Sequence, residues 1–248
     1  MTTVDLELAL GNLRHALARD EERQAGSEEE AGRVLALCER HRQLACGVWL
    51  ADLDVEGFRR HLLQGARAYL GLLREREGRP GLDAYALCAS RALPLVDALA
   101  GGHGGAAREV AERMTPRWTR RMEPRADFLF FHALGGLARG EEVAGVLDEA
   151  SGAGLESPRF DVLRALAAGD VRAFESALEA RVDEWQGELE QQRRREALPP
   201  EAASTEAHVC LEAVALLHLA RGRGLRAEVP PRYVPPEVVP PLVTEVAP

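Results

Sequence analysis

Leu166-Ala-Ala-Gly-Asp170-Val-Arg-Ala-Phe174-Glu-Ser-Ala-Leu178 holds the end of one helix and the start of the next. Asp170 is an N-cap residue, with a side-chain oxygen free to accept from the first-turn backbone N–H groups. Val171, Phe174 and Leu178 follow at steps of three and four, the spacing of one buried helical face. The same face continues through Val182, Trp185 and Leu189 and ends near Arg193-Arg-Arg195, whose charges suit the negative end of the helix dipole. A second stretch has the same grammar: Leu50-Ala-Asp-Leu-Asp54-Val55, then Phe58 and Leu62. At that offset Tyr69 pairs with Trp185 and Leu73 with Leu189. Each copy ends a helix, caps the next with Asp and buries an aromatic at the hairpin. Two readings account for this: two related hairpin lobes of a short helical repeat, or the pattern any tightly turned αα-hairpin uses.

Outward from these hairpins the helical period persists. Val4–Glu22 places Leu6, Leu10, Leu13 and Leu17 on one face. Ser27-Glu-Glu-Glu30 is a capping box for a helix running to about Leu50, and Asp54 caps a third that ends at Gly78-Arg-Pro80. Leu82–Ala100 and Ala106–Met122 read as two more helices, joined by Gly101-Gly-His-Gly-Gly105. Pro94 predicts a kink or break in the first, and Pro116 obscures the end of the second. Arg125–Arg139 carries Phe128, Leu129, Phe131 and Leu134, and Ser157-Pro158 is an N-cap followed by proline at the first helical position. Thr205–Arg221 is the last strong helix, with Gly222 and Gly224 available to close it, and Leu225–Val229 suits a short strand. Pro230 opens a tail that holds seven of the 14 prolines, so that segment is expected to be extended and non-helical. The fold class is all-α: antiparallel helical hairpins packed as a bundle or short repeat-like array, with an extended proline-rich tail. Residues 1–229 form one helical domain, divisible into lobes 1–122 and 123–229, and 230–248 form the tail.

Composition bounds the function. The chain has 248 residues, 46% hydrophobic, 29% charged and 5% aromatic, which excludes an intrinsically disordered chain. No apolar run approaches the ~20 residues needed to cross a bilayer, and the start, Met1-Thr-Thr-Val-Asp-Leu-Glu-Leu, is acidic where a leader would be basic. A cytoplasmic protein without membrane contact is expected. All 31 basic residues are Arg, which removes Schiff-base chemistry and the lysine P-loop. The net charge of −9 argues against a nucleic-acid binder, which needs a basic footprint; it suits solubility, as in most acidic cytoplasmic proteins, and also attraction to a basic partner. Cys38, Cys46, Cys88 and Cys210 lie scattered in apolar helical context, as reduced buried thiols do.

Motifs for catalysis or cofactors are few. Cys38-Glu-Arg-His41 with Cys46 falls short of a zinc set, and His208 and Cys210, two apart, point to different faces of a helix, with His218 a further eight on. Gly152-Ala-Gly154 is half a dinucleotide fingerprint after a helix, hence a loop. Gly101–Gly105 ahead of Arg108 has the makings of an anion cradle, but a hairpin loop explains it as well. Asp52 and Asp54 flank one capping turn. Arg117-Trp-Thr-Arg-Arg121 with Arg125 is a basic patch containing an aromatic, placed where a helix end would favour arginine anyway. No catalytic, cofactor-binding or metal residue is therefore assigned. The remaining candidates are Asp183, Glu184, Glu188 and Glu190, which edge the core stripe beside Trp185. They read as an acidic strip that meets a basic partner, or as a solvated helix face.

Phe160-Asp-Val-Leu-Arg-Ala-Leu-Ala-Ala-Gly-Asp170-Val-Arg-Ala-Phe174 resembles the immunity protein 49 family, where a helix ends in a similar Gly-Asp turn and an aromatic opens the next. Val209–Val229, with its Arg-Gly turn, and Tyr233-Val-Pro235 resemble that family's last helix and closing motif. Leu50–Leu73 and Tyr85–Arg113 fit its first half more loosely, and Pro230-Pro and Pro235-Pro-Glu depart from its tail. The resemblance implies an all-helical, non-enzymatic cytoplasmic protein that binds a cognate polymorphic toxin, and it assigns no contact residues. The alternative is a helical-repeat adaptor that binds another cytoplasmic protein without neutralising a toxin.

Overall fold

A computed structural model describes residues 3–21, 29–78, 85–230 and 232–241, and within them every regular element is a helix. In chain order these are α1 (Thr3–Glu21), α2 (Glu29–Asp52), α3 (Val55–Gly78), α4 (Leu93–Ala100), α5 (Gly104–Arg113), α6 (Arg125–Arg139), α7 (Ala144–Gly152), α8 (Pro158–Ala168), α9 (Val171–Arg194), α10 (Pro200–Ser204) and α11 (Leu211–Gly222). Short 3-10 turns occupy Ala89–Arg91, Glu206–His208 and Pro236–Val238. No described helix is long and apolar enough to cross a membrane.

The two Asp-capped hairpins fold by the same device. Asp54 Oδ1 accepts from the Gly57 N–H at 2.7 Å, and Asp170 Oδ1 accepts from the Ala173 N–H at 3.0 Å. The residue before each cap is left-handed: Gly169 at φ 71° and, in the matching place, Leu53 at φ 54°. Phe58, Leu62, Phe174 and Leu178 are all fully buried, so the aligned apolar positions do the same job twice. One contiguous buried cluster runs from Ala31 to Val239 and draws on α2 through α9 and α11. A smaller one forms where Leu6, Leu10 and Leu13 of α1 meet Leu44 and Val48 of α2. Gly47 permits that approach, because a Cβ there would lie 2.6 Å from Leu10 Cδ2.

Proline decides most of the departures from the expected boundaries. Tyr85–Ala92 is turn and 3-10 structure rather than the first half of a Leu82–Ala100 helix, and α4 begins only at Leu93 with Pro94 in its first turn. The chain therefore breaks rather than kinks, as a ring without an N–H requires. The helix expected to run to Met122 stops at Arg113, because Pro116 disfavours helical geometry in the residue before it. Ser157 is extended and its carbonyl accepts from Phe160 and Asp161, but its hydroxyl makes no cap bond. The last helix starts at Leu211 rather than Thr205, after the 3-10 turn Glu206–His208. Leu225–Val229 is irregular, not a strand. Helices α7 and α10, nine and five residues long, were too short for their period to show in the sequence. The capping Ser27 and residues 79–84 lie outside the described residues.

The described part of the tail lies against the body. Cys210 N–H donates to Tyr233 O at 2.7 Å, His218 Nε2 contacts Val238 O at 3.0 Å, and Val234, Val238 and Val239 are buried. Pro236–Val238 forms a 3-10 turn, so this stretch is not extended throughout as expected.

Candidate functional site

Arg181 stands on the stripe that α9 buries, three residues after Leu178 and seven after Phe174, and is only 5% exposed. A guanidinium taken out of water needs a carboxylate. Glu212, in the first turn of α11, supplies it: Oε1 accepts from Arg181 Nε at 2.8 Å and Oε2 from Arg159 Nε at 3.2 Å. Arg159, in the first turn of α8, also donates to Asp127 Oδ1 at 3.0 Å and lies 3.6 Å over the Phe130 ring. Burial alone would lift the Glu212 carboxyl, but the two guanidiniums outweigh it and hold it below the usual range. Burial likewise opposes the charge on Arg181, and Glu212 overcomes it and raises its pKa. This network joins α6, α8, α9 and α11 and fixes α9 on the body.

The four acidic candidates do not form one strip. At ~100° per residue, Asp183 and Glu190 share one edge of the α9 core stripe, while Glu184 and Glu188 share the other. Glu184 and Glu188 both accept from Arg181 Nη1, at 3.1 and 3.3 Å, so both are tied to the buried guanidinium, Glu188 from an exposed position. Asp183 and Glu190 face outward; Glu190 accepts from Gln186 Nε2 at 3.1 Å and lies 3.9 Å from Arg194. Trp185, half-buried, packs edge-on against Tyr233 with ring centroids 5.2 Å apart. The structure thus divides the candidates into an anchored pair and an outward pair.

A second buried network sits in the first half. Asp97, inside the apolar run of α4, takes both Arg42 Nε and Nη2, at 2.7 and 2.8 Å. Burial opposes the Arg42 charge, and the paired Asp97 more than restores it. Glu206 joins from its 3-10 turn, and its carboxyl is raised by burial against the pull of Arg42, with Glu39 and Asp97 adding repulsion. Here one guanidinium bonds a single carboxylate, Asp97, with Glu206 close by, whereas Glu212 bonds two guanidiniums that Asp127, Glu184 and Glu188 also contact.

The remaining candidates resolve into structural roles. The four cysteines are free and buried, and burial pushes Cys38 and Cys210 up to about 12, far from a reactive thiolate. Cys38 Sγ donates to Gly65 O, while His41 turns to His61 with Nδ1 atoms 3.2 Å apart. Burial and then His61 lower His41 to about 4, and burial lowers His218 to about 4. Among the described residues no group of three or more His, Cys, Asp or Glu side chains is placed to hold a metal. Gly101–His103 connects α4 to α5, with His103 Nε2 3.0 Å from Arg59 O. Arg117, Arg120 and Arg121 lie beyond the end of α5 and not at a helix terminus, so the helix dipole does not account for them.

Sequence reading overlooked Arg159, Arg181, Glu212, Arg42 and Asp97. A signal was present: Arg181 occupies the i+3 and i+7 positions of the Phe174 stripe, and Asp97 interrupts Leu-Pro-Leu-Val-Asp-Ala-Leu-Ala, both places where a charge must be paired. No family model, curated protein or solved structure matches this chain.

Proposed function

We propose that this chain is a non-enzymatic, cytoplasmic immunity protein that binds a cognate protein toxin and neutralises it by occlusion, using the outward edge of α9. One observation carries the choice of surface. The α9 helix is pinned from beneath by Arg181 and Glu212, while Asp183 and Glu190 stand exposed on its free edge. Acidic groups on a pre-positioned helix suit a basic partner, raising the association rate and fixing register. A specific interface buries about 1,200–2,000 Å² in total, which one face of a body this size supplies. The two matching Asp-capped hairpins also favour a second reading, a repeat-like adaptor for another protein.

Protection separates the two. Cells express the C-terminal domain of any polymorphic toxin encoded next to this gene, with and without this chain. Restored growth and a co-purifying complex support immunity; full toxicity despite good expression of the chain shifts the reading to the adaptor. Asp183 and Glu190 are the pair to reverse, since Glu184 and Glu188 also hold Arg181.

A further inference from the structure

We propose that the segment from Met114 to Pro124 is a second docking surface, opposite in charge to α9, that takes an acidic segment of a protein partner bearing an apolar side chain. The inference does not depend on whether that partner is a toxin.

The loop is held from beneath. Thr115 Oγ1 donates to Leu87 O at 2.6 Å and accepts from Arg76 Nη1 at 2.8 Å, and His132 Nε2 contacts Thr115 O at 2.9 Å. At its far end the buried Glu123 accepts the Ser90 N–H through Oε2 at 2.9 Å, and its carbonyl accepts the Trp118 indole N–H at 3.1 Å. Between these anchors the Met122 and Glu123 N–H groups both close on Thr119 O, at 2.8 and 3.2 Å. A stretch without regular helix is therefore pre-organised, which lowers the ordering cost of binding.

Its outer side is unlike the rest of an acidic protein. Arg117, Arg120 and Arg121 are exposed and make no ion pair among the described residues, although the whole chain carries a charge of −9. Arg125, next along, is neutralised by Glu149 at 2.9 Å. Between and beside these cations stand Trp118 and Met122, 36% and 39% exposed. Three unpaired guanidiniums around two large apolar side chains complement a segment with carboxylates flanking an apolar residue. Nucleic acid fits less well. The Trp118 indole N–H is already committed and the Arg125 guanidinium lies 5.5 Å over its ring, leaving less of it free to stack a base. The net negative charge also repels a polyphosphate more than a short peptide.

Fluorescence anisotropy of the full chain tests this with three labelled probes: a peptide of about 15 residues rich in Glu with two Leu, its Lys-for-Glu counterpart, and a poly-dT of about the same length. The expected result is binding of the acidic peptide, weakened about tenfold or more by combined Arg117→Glu, Arg120→Glu and Arg121→Glu and about threefold by Met122→Ala. Any binding of the Lys counterpart to the acidic edge of α9 is not weakened by these variants. A variant with Gln at the three arginine positions, matched to the parent in thermal melting, gives the same reading where the reversal harms folding. No binding, or binding unchanged in the Gln variant, overturns the proposal. Tighter loop-dependent binding of poly-dT overturns it in favour of nucleic acid.

Discussion

The α2–α3 and α8–α9 hairpins are built alike and covered differently. Both cap the second helix with Asp and bury Phe and Leu one and two turns on. Yet α3 packs against α2, α4, α5 and the Pro236–Val238 turn, whereas α9 rests mainly on α8 and touches α11. At the same offset, Asp183 and Glu190 of α9 correspond to Arg67 and Arg74 of α3. That edge of α3 carries Leu63 and Leu70 and is met by α5, with Arg74 donating to Glu109 at 2.7 Å. The matching positions in α9 are Glu179 and Gln186. One edge thus mixes leucine with arginine and is met by α5, and the other is polar and, among the described residues, exposed at Glu179, Asp183 and Glu190. Shared hairpin grammar sets how each helix is seated, and the edge residues set whether it is left for a partner.

Truncating the shared aromatic should break both hairpins equally. Phe58→Ala and Phe174→Ala are each expected to cost about 3–5 kcal/mol, since both rings are fully buried. Denaturant unfolding reads this, and a cost below 1 kcal/mol at one site, on the same scale, would remove the equivalence.

The charge networks should respond in opposite senses. Glu212→Gln leaves Arg159 and Arg181 short of a countercharge and is expected to cost about 3 kcal/mol. Glu206→Gln removes a carboxylate that burial already disfavours and is expected to be neutral or stabilising. Equal losses from the two, in thermal or denaturant melts, would contradict the opposite surroundings of the two carboxyls, Glu212 held ionised by two guanidiniums and Glu206 disfavoured by burial.

The turns differ at one residue. Leu53 sits at φ 54° where its counterpart is glycine, and it is 63% exposed, so its side chain contributes little burial. Leu53→Gly should therefore stabilise by about 1 kcal/mol, and Gly169→Leu should destabilise by a similar amount. A loss on Leu53→Gly would show that the side chain matters more than the backbone.

The smallest effect is acid sensitivity of the first hairpin. His41 has a folded pKa of about 4 against an ordinary 6.5, so the unfolded chain takes up a proton that the folded chain refuses between those values. Stability should fall as the pH drops from 6.5 towards 4, by about 1 kcal/mol once solvent screening of this half-buried ring is allowed for. Positions matching His41 and His61 in the second hairpin are Ser157 and Ala177, so hydrogen exchange at pH 5 should show the loosening in α2 and α3 first. His41→Gln should reduce the pH dependence and leave the part that the buried His218 contributes; an unchanged slope would place the acid sensitivity elsewhere.

Much of this fold was legible because capping and periodicity are local. Asp54, Asp170 and the Phe58 and Phe174 stripes sit where spacing put them, and Arg125–Arg139 is helical to the residue. Proline geometry was harder to place: Pro94 and Pro116 signalled trouble without saying where the helix would stop. The site was less legible because pairing is not local. Arg181 and Glu212, or Arg42 and Asp97, meet only when distant helices dock. The four acids looked like one strip in sequence, and only the position of Arg181 against Glu212 shows that two of them are anchors.

The open edge of α9 as the partner surface is tested most directly by titrating the cognate toxin domain against the parent chain and two variants by calorimetry. One variant combines Asp183→Arg with Glu190→Arg; the other, Arg67→Glu, changes the matching edge of α3. The account predicts at least about a tenfold loss of affinity in the first, with unchanged melting temperature, and parental affinity in the second. Parental affinity in the first would contradict it.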